Sequence, residues 1–453
     1  METIRYYSTN LQAPALSFGD ALLQGQAPDR GLYMPNRIPK LAAERLDAFM
    51  ELSYPQIAFE VLHAFLKEEV PADTLRALVN DAYDYDVPLE HVTGRQNVMR
   101  LDQGPTASFK DFAARMMGRL MNHFLKKNKR ELLILTATSG DTGSAIANAF
   151  YGLDNIRVLI LFPEKEVTAR QRKQMTTLGK NVRVAALDAK FDDCQALVKQ
   201  AFADPELTGM NLSSANSINI GRLLPQSVYY FYAWSQLRNS MDDKPLFVVP
   251  SGNFGDMMGG MIAWRMGLPV KKMLIAVNEN DEVPVFLSTG RYSKIEPSRN
   301  CISSAMNVGH PSNLARLVAM YGGVMDEKGI IHKAPDMDSM RKDMEAVSVS
   351  DAETKLAIAD AWKAHRLLLE PHGAVGWAAL QDYLSKAGKE EADRLSVVLE
   401  TAHPAKFPEQ IREILGFDPE LPPSLEGLEE KTEEYDHLAK DYAAFKSYLQ
   451  ENY

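Results

Sequence analysis

Cysteine is almost absent from this sequence: Cys194 and Cys301 are the only two, and they lie far apart in no metal-binding spacing. A disulfide framework or a zinc site is therefore not expected, and a reducing cytoplasm suits such a chain. Long apolar segments are missing as well, and the first residues, METIRYYSTN, hold no apolar signal core. These absences predict a cytoplasmic protein with no membrane partner.

Positive charge is in deficit, because 50 Lys and Arg residues stand against 60 Asp and Glu, for a formal net charge of −10. This balance argues against an extended nucleic-acid-binding surface, so no nucleic-acid partner is expected. An anionic small molecule would need a local basic pocket, since the overall field of the protein is unfavourable to it.

The chain has 453 residues, more than one compact core usually supports, which predicts two or three domains. Residues 1–90 carry apolar residues at helical spacing and are interpreted as an N-terminal helical domain. From residue 131 onward, short runs such as ELLILTAT, IRVLILFP and PLFVVP alternate with helical patterns. Such runs are typical of parallel strands covered on both faces, so an α/β protein of the doubly wound type is predicted. The segment 429–450 predicts an exposed C-terminal helix.

Two glycine-bearing loops follow buried strands and enter helices. SGDTGS (139–144) comes after ELLILTAT, and SGNFGDMMGG (251–260) comes after PLFVVP. In open α/β sheets ligands bind beyond the carboxyl ends of the strands, and a helix N-terminus offers free N–H groups to an anion. Each loop is also consistent with an ordinary helix-capping turn. Neither is a Walker A or a GxGxxG motif, because no GK[ST] follows.

Two further stretches bring polar residues to predicted strand ends or helix starts. SSANSINIGRLLPQ (213–226) holds Arg222 among hydroxyl and amide side chains, which indicates a second anion site. The alternative is a helix simply capped by Asn219. TAHPAKF (401–407) places a hydroxyl, an imidazole and a lysine after another strand. His403, like His372, stays undecided between packing and catalysis.

The decapeptide TASFKDFAAR (106–115) sets Lys110 between Phe109 and Phe112. On this stretch alone, an amphipathic helix with Lys110 facing water is as plausible as a functional amine. A lysine in a partly apolar pocket loses solvation of its charged form, which makes it a usable nucleophile and base.

Six stretches together resemble one family. They are TASFKDFAAR, ATSGDTGSA, NSINIGRLLPQ, PSGNFGD, EPHGAVG (370–376) and TAHPAKF, and the N-terminal RYYSTN…GLYMP fits as well. In this order the chain resembles pyridoxal-phosphate enzymes of the tryptophan synthase β-like fold and, more narrowly, the threonine synthase family. The resemblance implies parallel or mixed sheets flanked by helices. Together with the patterns along the chain, the resemblance predicts three regions. They are an N-terminal domain over 1–90, a cofactor-binding region over 91–425 with a smaller mobile subdomain at about 131–240, and a C-terminal helix over 426–453.

The resemblance also implies roles for individual residues. Lys110 would form the Schiff base with pyridoxal 5′-phosphate and act in catalysis, and Thr401 would place its hydroxyl on the pyridine nitrogen. The cofactor phosphate would be bound by the glycine loop, at Gly252, Asn253, Phe254, Gly255 and Asp256. The substrate carboxylate would face Ser139, Gly140, Asp141 and Thr142. The substrate phosphate would be recognised by Asn216, Ser217 and Arg222. Many relatives with this fold carry Asn where Asp141 stands, so the role of Asp141 is left open.

The implied reaction converts O-phospho-L-homoserine and water to L-threonine and phosphate, by γ-elimination and β-addition of water. A phosphate-eliminating lyase or an amino-acid deaminase with the same cofactor is the nearest alternative. A deaminase, however, does not need the second anion site. A nucleotide-binding phosphotransferase, with SGDTGS as its phosphate loop, is the alternative from another class. The protein is expected to be a monomer or a homodimer.

Overall fold

The computed structural model describes residues 3–138 and 140–453, with the side chains of Asp192, Lys389 and Glu390 excepted. The described strands, in chain order, are β1 (Tyr6–Ser8), β2 (Tyr33–Pro35), β3 (Leu89–Thr93), β4 (Gln96–Arg100), β5 (Leu132–Ala137), β6 (Ile156–Pro163), β7 (Val182–Leu187), β8 (Leu212–Ser213), β9 (Leu246–Pro250), β10 (Lys272–Val277), β11 (Val324–Met325), β12 (Ile331–Lys333), β13 (Met344–Ser348), β14 (Ser396–Glu400) and β15 (Asp436–Leu438).

The described α-helices, in the same order, are α1 (Phe18–Gln24), α2 (Ala43–Asp47), α3 (Tyr54–Leu66), α4 (Ala72–Ala82), α5 (Lys110–Asn128), α6 (Asp141–Phe150), α7 (Ala169–Thr176), α8 (Phe191–Ala203), α9 (Ile220–Leu223), α10 (Val228–Leu237), α11 (Gly255–Arg265), α12 (Glu282–Thr289), α13 (Leu314–Met320), α14 (Met337–Asp343), α15 (Asp351–His365), α16 (Pro371–Lys386), α17 (Lys389–Ala392), α18 (Pro408–Leu415) and α19 (Tyr442–Asn452). Among them, none is long and apolar enough to cross a bilayer.

The N-terminal segment is built mainly from helices, as its apolar spacing predicts. Helix α3 begins at a capping box between Ser53 and Gln56, with proline at its start. Such a box satisfies N–H groups that a helix cannot bond internally. One face of α3 then buries Ile57, Val61 and Phe65 in the core.

Two large sheets carry the rest of the chain. The six-stranded sheet has the order β13-β10-β9-β14-β4-β3, and only β3 runs antiparallel to its neighbour. The five-stranded sheet has the order β15-β7-β6-β5-β8, with every pair parallel. Strands β5, β9 and β14 are buried along their whole length. This burial is why they appear in the sequence as continuous apolar runs, and the predicted α/β architecture is confirmed.

The prediction of an exposed helix over 429–450 is wrong. Helix α19 begins only at Tyr442, and Asp436–Leu438 instead pairs in parallel with Ala185–Leu187 at the edge of the five-stranded sheet. Phe445 and Leu449 are fully buried against that sheet's helix layer. They lie four residues apart and therefore share one face of the helix, and this face is the buried one.

Candidate active site

A single large cavity lies at the carboxyl ends of strands from both sheets. Its volume is about 2070 Å³, well above the ~300–1,000 Å³ of a typical small-molecule pocket, so the cleft is open. Most of the predicted site residues line it: Lys110, Asp141, Thr142, Asn216, Ser217, Arg222, Gly252, Asn253, Phe254, Gly255, Asp256 and Thr401. Gly140 is not among the residues that line the cavity, and Ser139 lies outside the described residues.

Lys110 is the first residue of α5, and its side chain is only 13% exposed. The interpretation in which Lys110 simply faces water is therefore wrong. Its Nζ lies 3.8 Å from Asp141 Oδ2 and 5.1 Å from the centre of the Phe109 ring. Phe112 does not line the cavity; it packs in the core against Tyr54, so only one of the two phenylalanines shapes the pocket.

The pKa of Lys110 is lowered, first by burial and then by the positive charges of Lys406 and Arg222. The carboxylates of Asp141 and Asp256 oppose this shift. Burial disfavours the ammonium form because that form loses its hydration. A larger fraction of the amine is thus neutral and reactive than for a lysine in water.

The loop 251–255 has the properties of an anion cradle. The N–H groups of Gly252, Asn253, Phe254 and Gly255 donate to no acceptor among the described residues, whereas the neighbouring Ser251 N–H bonds the Ala276 carbonyl at 2.8 Å. Phe254 is held in the left-handed region at φ 63°, immediately before α11 begins. Free N–H groups at the start of an 11-residue helix suit a phosphate, because the helix dipole adds to their own attraction.

Gly252 has a steric requirement that explains its residue type. A Cβ at this position would lie 2.8 Å from the Ala305 carbonyl oxygen, a distance that side chains do not adopt. At Gly255 the atom nearest to a Cβ would be the side-chain amide nitrogen of Gln226, at 3.3 Å, with Ser217 Cβ next at 3.6 Å. The loop therefore needs glycine at Gly252 more strictly than at Gly255.

Asp256 closes this loop in the first turn of α11 and is buried. Burial raises its pKa to about 7, although the N–H of Met257 and the charge of Lys110 lower it in part. Its Oδ1 accepts from the Met257 N–H at 2.8 Å, and its backbone carbonyl accepts from the Tyr230 hydroxyl at 2.9 Å.

The loop before α6 is organised around the hydroxyl of Thr138. Its Oγ1 accepts the N–H of Gly140 at 3.0 Å and of Gly143 at 2.8 Å. Gly140 has φ 135°, where a side chain would be strained, and the Gln171 side chain lies directly against it. Much of this loop's donor capacity is thus used internally, unlike that of the 251–255 loop.

Asp141, the first residue of α6, is held by three side chains. Its Oδ1 lies 2.6 Å from Lys406 Nζ and accepts from Gln171 Nε2 at 2.9 Å, and its Oδ2 faces Lys110. Burial alone would raise the pKa of Asp141, but the charges of Lys406 and Lys110 outweigh burial and hold it well below its ordinary value. Asp141 is therefore an ionised carboxylate between two lysines.

Lys406 is a site residue to which the sequence analysis gave no role. It is fully buried, and its Nζ also donates to the Thr106 carbonyl at 2.8 Å. The signal was present, because TAHPAKF places a lysine shortly after a buried strand. Nothing in the sequence showed that this strand end lies beside Asp141.

Arg222 is buried at 3% exposure and forms no ion pair with a described carboxylate. Its Nη1 donates to the Ala215 carbonyl at 2.9 Å, while its Nε has no partner among the described residues. The Asn216 Oδ1 is likewise buried without a partner. Burial lowers the pKa of Arg222 to about 10, yet the group stays charged at neutral pH. A buried guanidinium with a spare donor beside a cavity is suited to bind an anion.

The helix-capping interpretation of this segment is correct for Asn219 alone. Asn219 Oδ1 accepts the Gly221 N–H at 2.9 Å. The cap and the anion site coexist, because different residues form them.

Arg316 supports the same region and was also missed. It is fully buried, and its guanidinium donates to the carbonyls of Tyr33, Ser217 and Ile218. It also donates to Asn313 Oδ1 at 2.6 Å. It fixes the backbone of the 217–218 segment; its sequence surroundings, LARLVAM, look like an ordinary helix and carry no functional signal.

Thr401 is buried beside a carboxylate. Its hydroxyl lies 3.4 Å from Glu370 Oε1, and the N–H groups of His372 and Gly373 also donate to Glu370. The Nε2 of His372 accepts the Ala305 N–H at 3.0 Å, so its Nδ1 carries the proton that it shares with Glu370. His372 thus connects the Thr401 side of the cavity to Ala305, whose carbonyl packs on Gly252.

His403 has a structural role in this arrangement. Its Nδ1 accepts the Ala405 N–H at 3.1 Å and caps the turn that leads to Lys406. Burial, with the charges of Arg100 and Lys406, lowers its pKa to about 4. At neutral pH it is therefore an uncharged cap.

These residues fit pyridoxal phosphate: an amine of lowered pKa, four unpaired N–H groups at a helix start, and a buried hydroxyl share one cavity. Comparison with protein families agrees. Residues 97–401 match the model described as "Pyridoxal-phosphate dependent enzyme", residues 5–83 match "Threonine synthase N terminus", and residues 373–449 match "Threonine synthase, C-terminal".

Individual relatives extend over nearly the whole chain. A threonine synthase from Haemophilus influenzae is 39% identical over 435 residues, covering 96% of both chains. The crystal structure of pyridoxal-phosphate-bound threonine synthase from Brucella melitensis superposes with a TM-score of 0.92 at 35% identity, over 99% of each chain. The yeast threonine synthase structure gives 0.91 at 32% identity, over 99% of this chain and 98% of that one. Maize serine racemase, at 16% identity and a TM-score of 0.53, shares the fold alone.

These matches exclude the nucleotide-binding alternative. With three family models, curated relatives and solved structures in agreement, the chain belongs to the threonine synthase family of pyridoxal-phosphate-dependent lyases.

Proposed function

We propose that this chain converts O-phospho-L-homoserine and water to L-threonine and phosphate, the last step of threonine biosynthesis. One observation carries the choice of a phosphorylated substrate. Arg222, buried and with an unpartnered Nε, lines the same cavity as Lys110 and the loop 252–255. The cavity thus has two separate anion sites around one reactive amine, one for the cofactor phosphate and one for the substrate phosphate.

The residues divide the work of holding the cofactor. Lys110 would carry it covalently at Nζ, the N–H groups of Gly252 to Gly255 would hold its phosphate, and Thr401 would meet the ring nitrogen. When bound, pyridoxal phosphate supplies an electron sink for a carbanion formed on the substrate carbon next to the amino group.

Lys110 is the group in this cavity best suited to move protons. Once released by the incoming amino acid, its Nζ would remove the α-proton and return it at the end of the reaction. This task needs a neutral amine, and the lowered pKa of Lys110 increases the neutral fraction. The same Nζ, on a flexible stem, would also transfer protons at Cβ and Cγ of the substrate.

Two groups would orient the substrate at its opposite ends. The loop of Gly140, Asp141 and Thr142 would bind the carboxylate through the backbone, and Arg222 with Asn216 and Ser217 would bind the phosphate. Arg222 would stabilise the charge that develops on the departing phosphate, because a buried guanidinium is weakly screened. The Ala215 carbonyl keeps the Arg222 guanidinium in place, and Arg316 fixes the nearby backbone at Ser217.

Water has to stay out until phosphate has left and then be admitted. The open cleft is lined by residues of helices that pack on the two sheets, such as Gln195 from α8 and His372 from α16. We infer that the subdomain at about 131–240 moves against the rest of the cofactor-binding region of 91–425 and so closes the cleft. The N-terminal domain over 1–90 and the C-terminal segment over 426–453 flank this region.

The test is a spectrum followed by a two-product assay. We expect a band at about 410–420 nm from cofactor bound to lysine, set by the chemistry of the cofactor. Addition of O-phospho-L-homoserine should give threonine and phosphate in equal amounts. Phosphate with a keto acid and no threonine would instead make the protein a phosphate-eliminating lyase.

A pair of variants assigns the lysine. Lys110→Ala should lose both the band and activity, whereas Lys165→Ala should keep both, because Lys165 is 75% exposed on the surface. Retention of the band in Lys110→Ala would refute the assignment of Lys110.

The cellular setting follows the same reasoning. Both cysteines are unpaired thiols, which suits the reducing cytoplasm in which we expect the enzyme to act as a monomer or homodimer.

A further inference from the structure

Lys406 is a fully buried lysine that the proposed reaction does not use. It follows β14 of the six-stranded sheet, yet its Nζ lies 2.6 Å from Oδ1 of Asp141, which begins α6 beside the five-stranded sheet. Buried lysines are rare because the ammonium group loses its hydration, and they persist only when paired. Lys406 therefore has a specific electrostatic task at this position.

The geometry sets two lysines against one carboxylate. Asp141 Oδ1 is taken by Lys406 at 2.6 Å and by Gln171 at 2.9 Å, while Oδ2 remains 3.8 Å from Lys110 Nζ. The closer pair is the one with Lys406, which is also fixed by the Thr106 carbonyl at 2.8 Å. Without Lys406, Asp141 would have Lys110 as its nearest cation and would be free to turn onto it.

We propose that Lys406 is a positioning residue for Lys110: by holding Asp141, it keeps the Lys110–Asp141 pair at 3.8 Å instead of letting it close to hydrogen-bond distance, and so keeps the Lys110 amine available for reaction. This inference rests on the proposed role of Lys110. It explains why a carboxylate is tolerated next to a lysine that must lose its proton. It also explains why Asp141 can stand where a substrate carboxylate is expected to bind, since Lys406 neutralises it.

Other charged groups lie around the two lysines. Lys110 also faces Arg222 and Asp256. Lys406 also faces Asp111, whose carboxylate bonds the N–H and hydroxyl of Thr106, and His403, which is uncharged at neutral pH. Of these groups, only Asp141 contacts both lysines directly.

Two variants should shift the midpoint pH for deprotonation of Lys110 in opposite directions. Lys406→Met removes a positive charge and releases Asp141, so the midpoint pH for deprotonation of Lys110 should rise by about one unit. Asp141→Asn removes the carboxylate that favours the charged amine, so the same midpoint should fall. A residue that only supports the fold would not move the two midpoints in opposite directions.

The measurement is the pH dependence of acylation of Lys110 in the full-length chain before cofactor is added. The modified peptide is quantified by mass spectrometry after brief exposure to an amine-reactive reagent. At a fixed pH below the midpoint, Lys406→Met should be labelled at Lys110 about tenfold more slowly than the unsubstituted chain, the equivalent of one pH unit. In the cofactor-loaded enzyme, where the incoming amino acid releases the Lys110 amine, the acidic limb of the pH profile of kcat should move in the same direction as the midpoint.

The exposed Lys165→Met is the matched control, because it removes one lysine charge from a 75% exposed side chain that does not line the cavity and should leave the midpoint unchanged. Circular dichroism identifies any variant that has not folded, and Asp141→Asn then tests the pair from its other side. Folded Lys406→Met with an unchanged midpoint, or two variants that move it in the same direction, would overturn the proposal. Loss of the function itself is read separately, from the absorption band of Lys110→Ala.

Discussion

Asp141 and Asp256 occupy matching places in the two halves of the site. Each follows a glycine-bearing loop after a buried strand, stands in the first turn of a helix and is about 5% exposed or less. Their acid–base states are nevertheless opposite. Lys406 and Lys110 hold the pKa of Asp141 well below its ordinary value, whereas burial raises the pKa of Asp256 to about 7. The local pattern thus fixes where each carboxyl lies, and distant parts of the chain decide its charge.

The loops themselves differ in the same way. The N–H groups of Gly252 to Gly255 remain free, while those of Gly140 and Gly143 are bound by Thr138. The first loop is ready for a strongly charged phosphate. The second is a stiffened turn whose nearest carboxylate is already neutralised, which suits the weaker charge of a substrate carboxylate.

The largest expected effect separates the two aspartates by pH. The pKa of Asp256 is raised, so its neutral form favours the folded state at low pH, and that stability is lost as pH rises through about 7. Asp256→Asn should therefore gain stability over the unsubstituted chain by about 1.4 kcal/mol per pH unit between about pH 5 and 7, and level off above. Urea denaturation of the cofactor-free protein at several pH values measures this.

Asp141→Asn should show the opposite sign in the same experiment. Because the pKa of Asp141 is lowered, its stabilisation is present at neutral pH and is lost only as pH falls below the ordinary aspartate value. Asp141→Asn should accordingly destabilise the fold at pH 7. Equal pH dependence in the two variants would remove the contrast between the aspartates.

The next effect compares two glycines within the phosphate loop. Gly252→Ala would force a Cβ against the Ala305 carbonyl at 2.8 Å, and we expect cofactor affinity to fall roughly 100-fold, or about 3 kcal/mol. Gly255→Ala would approach a side chain, the Gln226 amide, at 3.3 Å rather than a backbone carbonyl, and should lose no more than about threefold. Spectroscopic titration with pyridoxal phosphate checks both, and similar losses would contradict the proposed cradle geometry.

The smallest effect tests the internal bonding of the other loop. Thr138→Val keeps the shape of the side chain but leaves the N–H groups of Gly140 and Gly143 without their acceptor. Stability should fall by about 2 kcal/mol, with cofactor affinity little changed. Ser251→Ala, which removes only a donor to the Val249 carbonyl, should cost less and serves as the comparison. Thermal denaturation of the two variants ranks them.

Sequence reasoning located most of this site in two ways. The 252–255 loop and Thr401 follow predicted strands, and parallel strands bring their carboxyl ends to one edge. The role of Lys110 came instead from the family resemblance, which also supported the anion site expected at Arg222. Lys406 and Arg316 escaped notice for a physical reason. Their roles depend on partners far along the chain, Asp141 and Tyr33 respectively, and no local pattern encodes such a pairing.

The C-terminal segment failed for a related reason. The stretch before α19 is polar and charged, and its composition is consistent with an exposed helix. Residues Asp436–Leu438 became a strand because β7 offered an unpaired edge, a fact that belongs to the assembled sheet. The spacing of Phe445 and Leu449 indicates an apolar face on α19. Only the assembled sheet shows what this face packs against.

The contacts of Arg316 constrain when this part of the site can form during protein synthesis. Its guanidinium bonds the Tyr33 carbonyl across 283 positions of sequence, together with Ser217 and Ile218. An emerging chain can form the first helices long before this arginine leaves the ribosome. The loop that carries the proposed phosphate-binding residues nevertheless gains these bonds only after residue 316 has been made, so the proposed substrate site is completed late, by a residue that does not line the cavity.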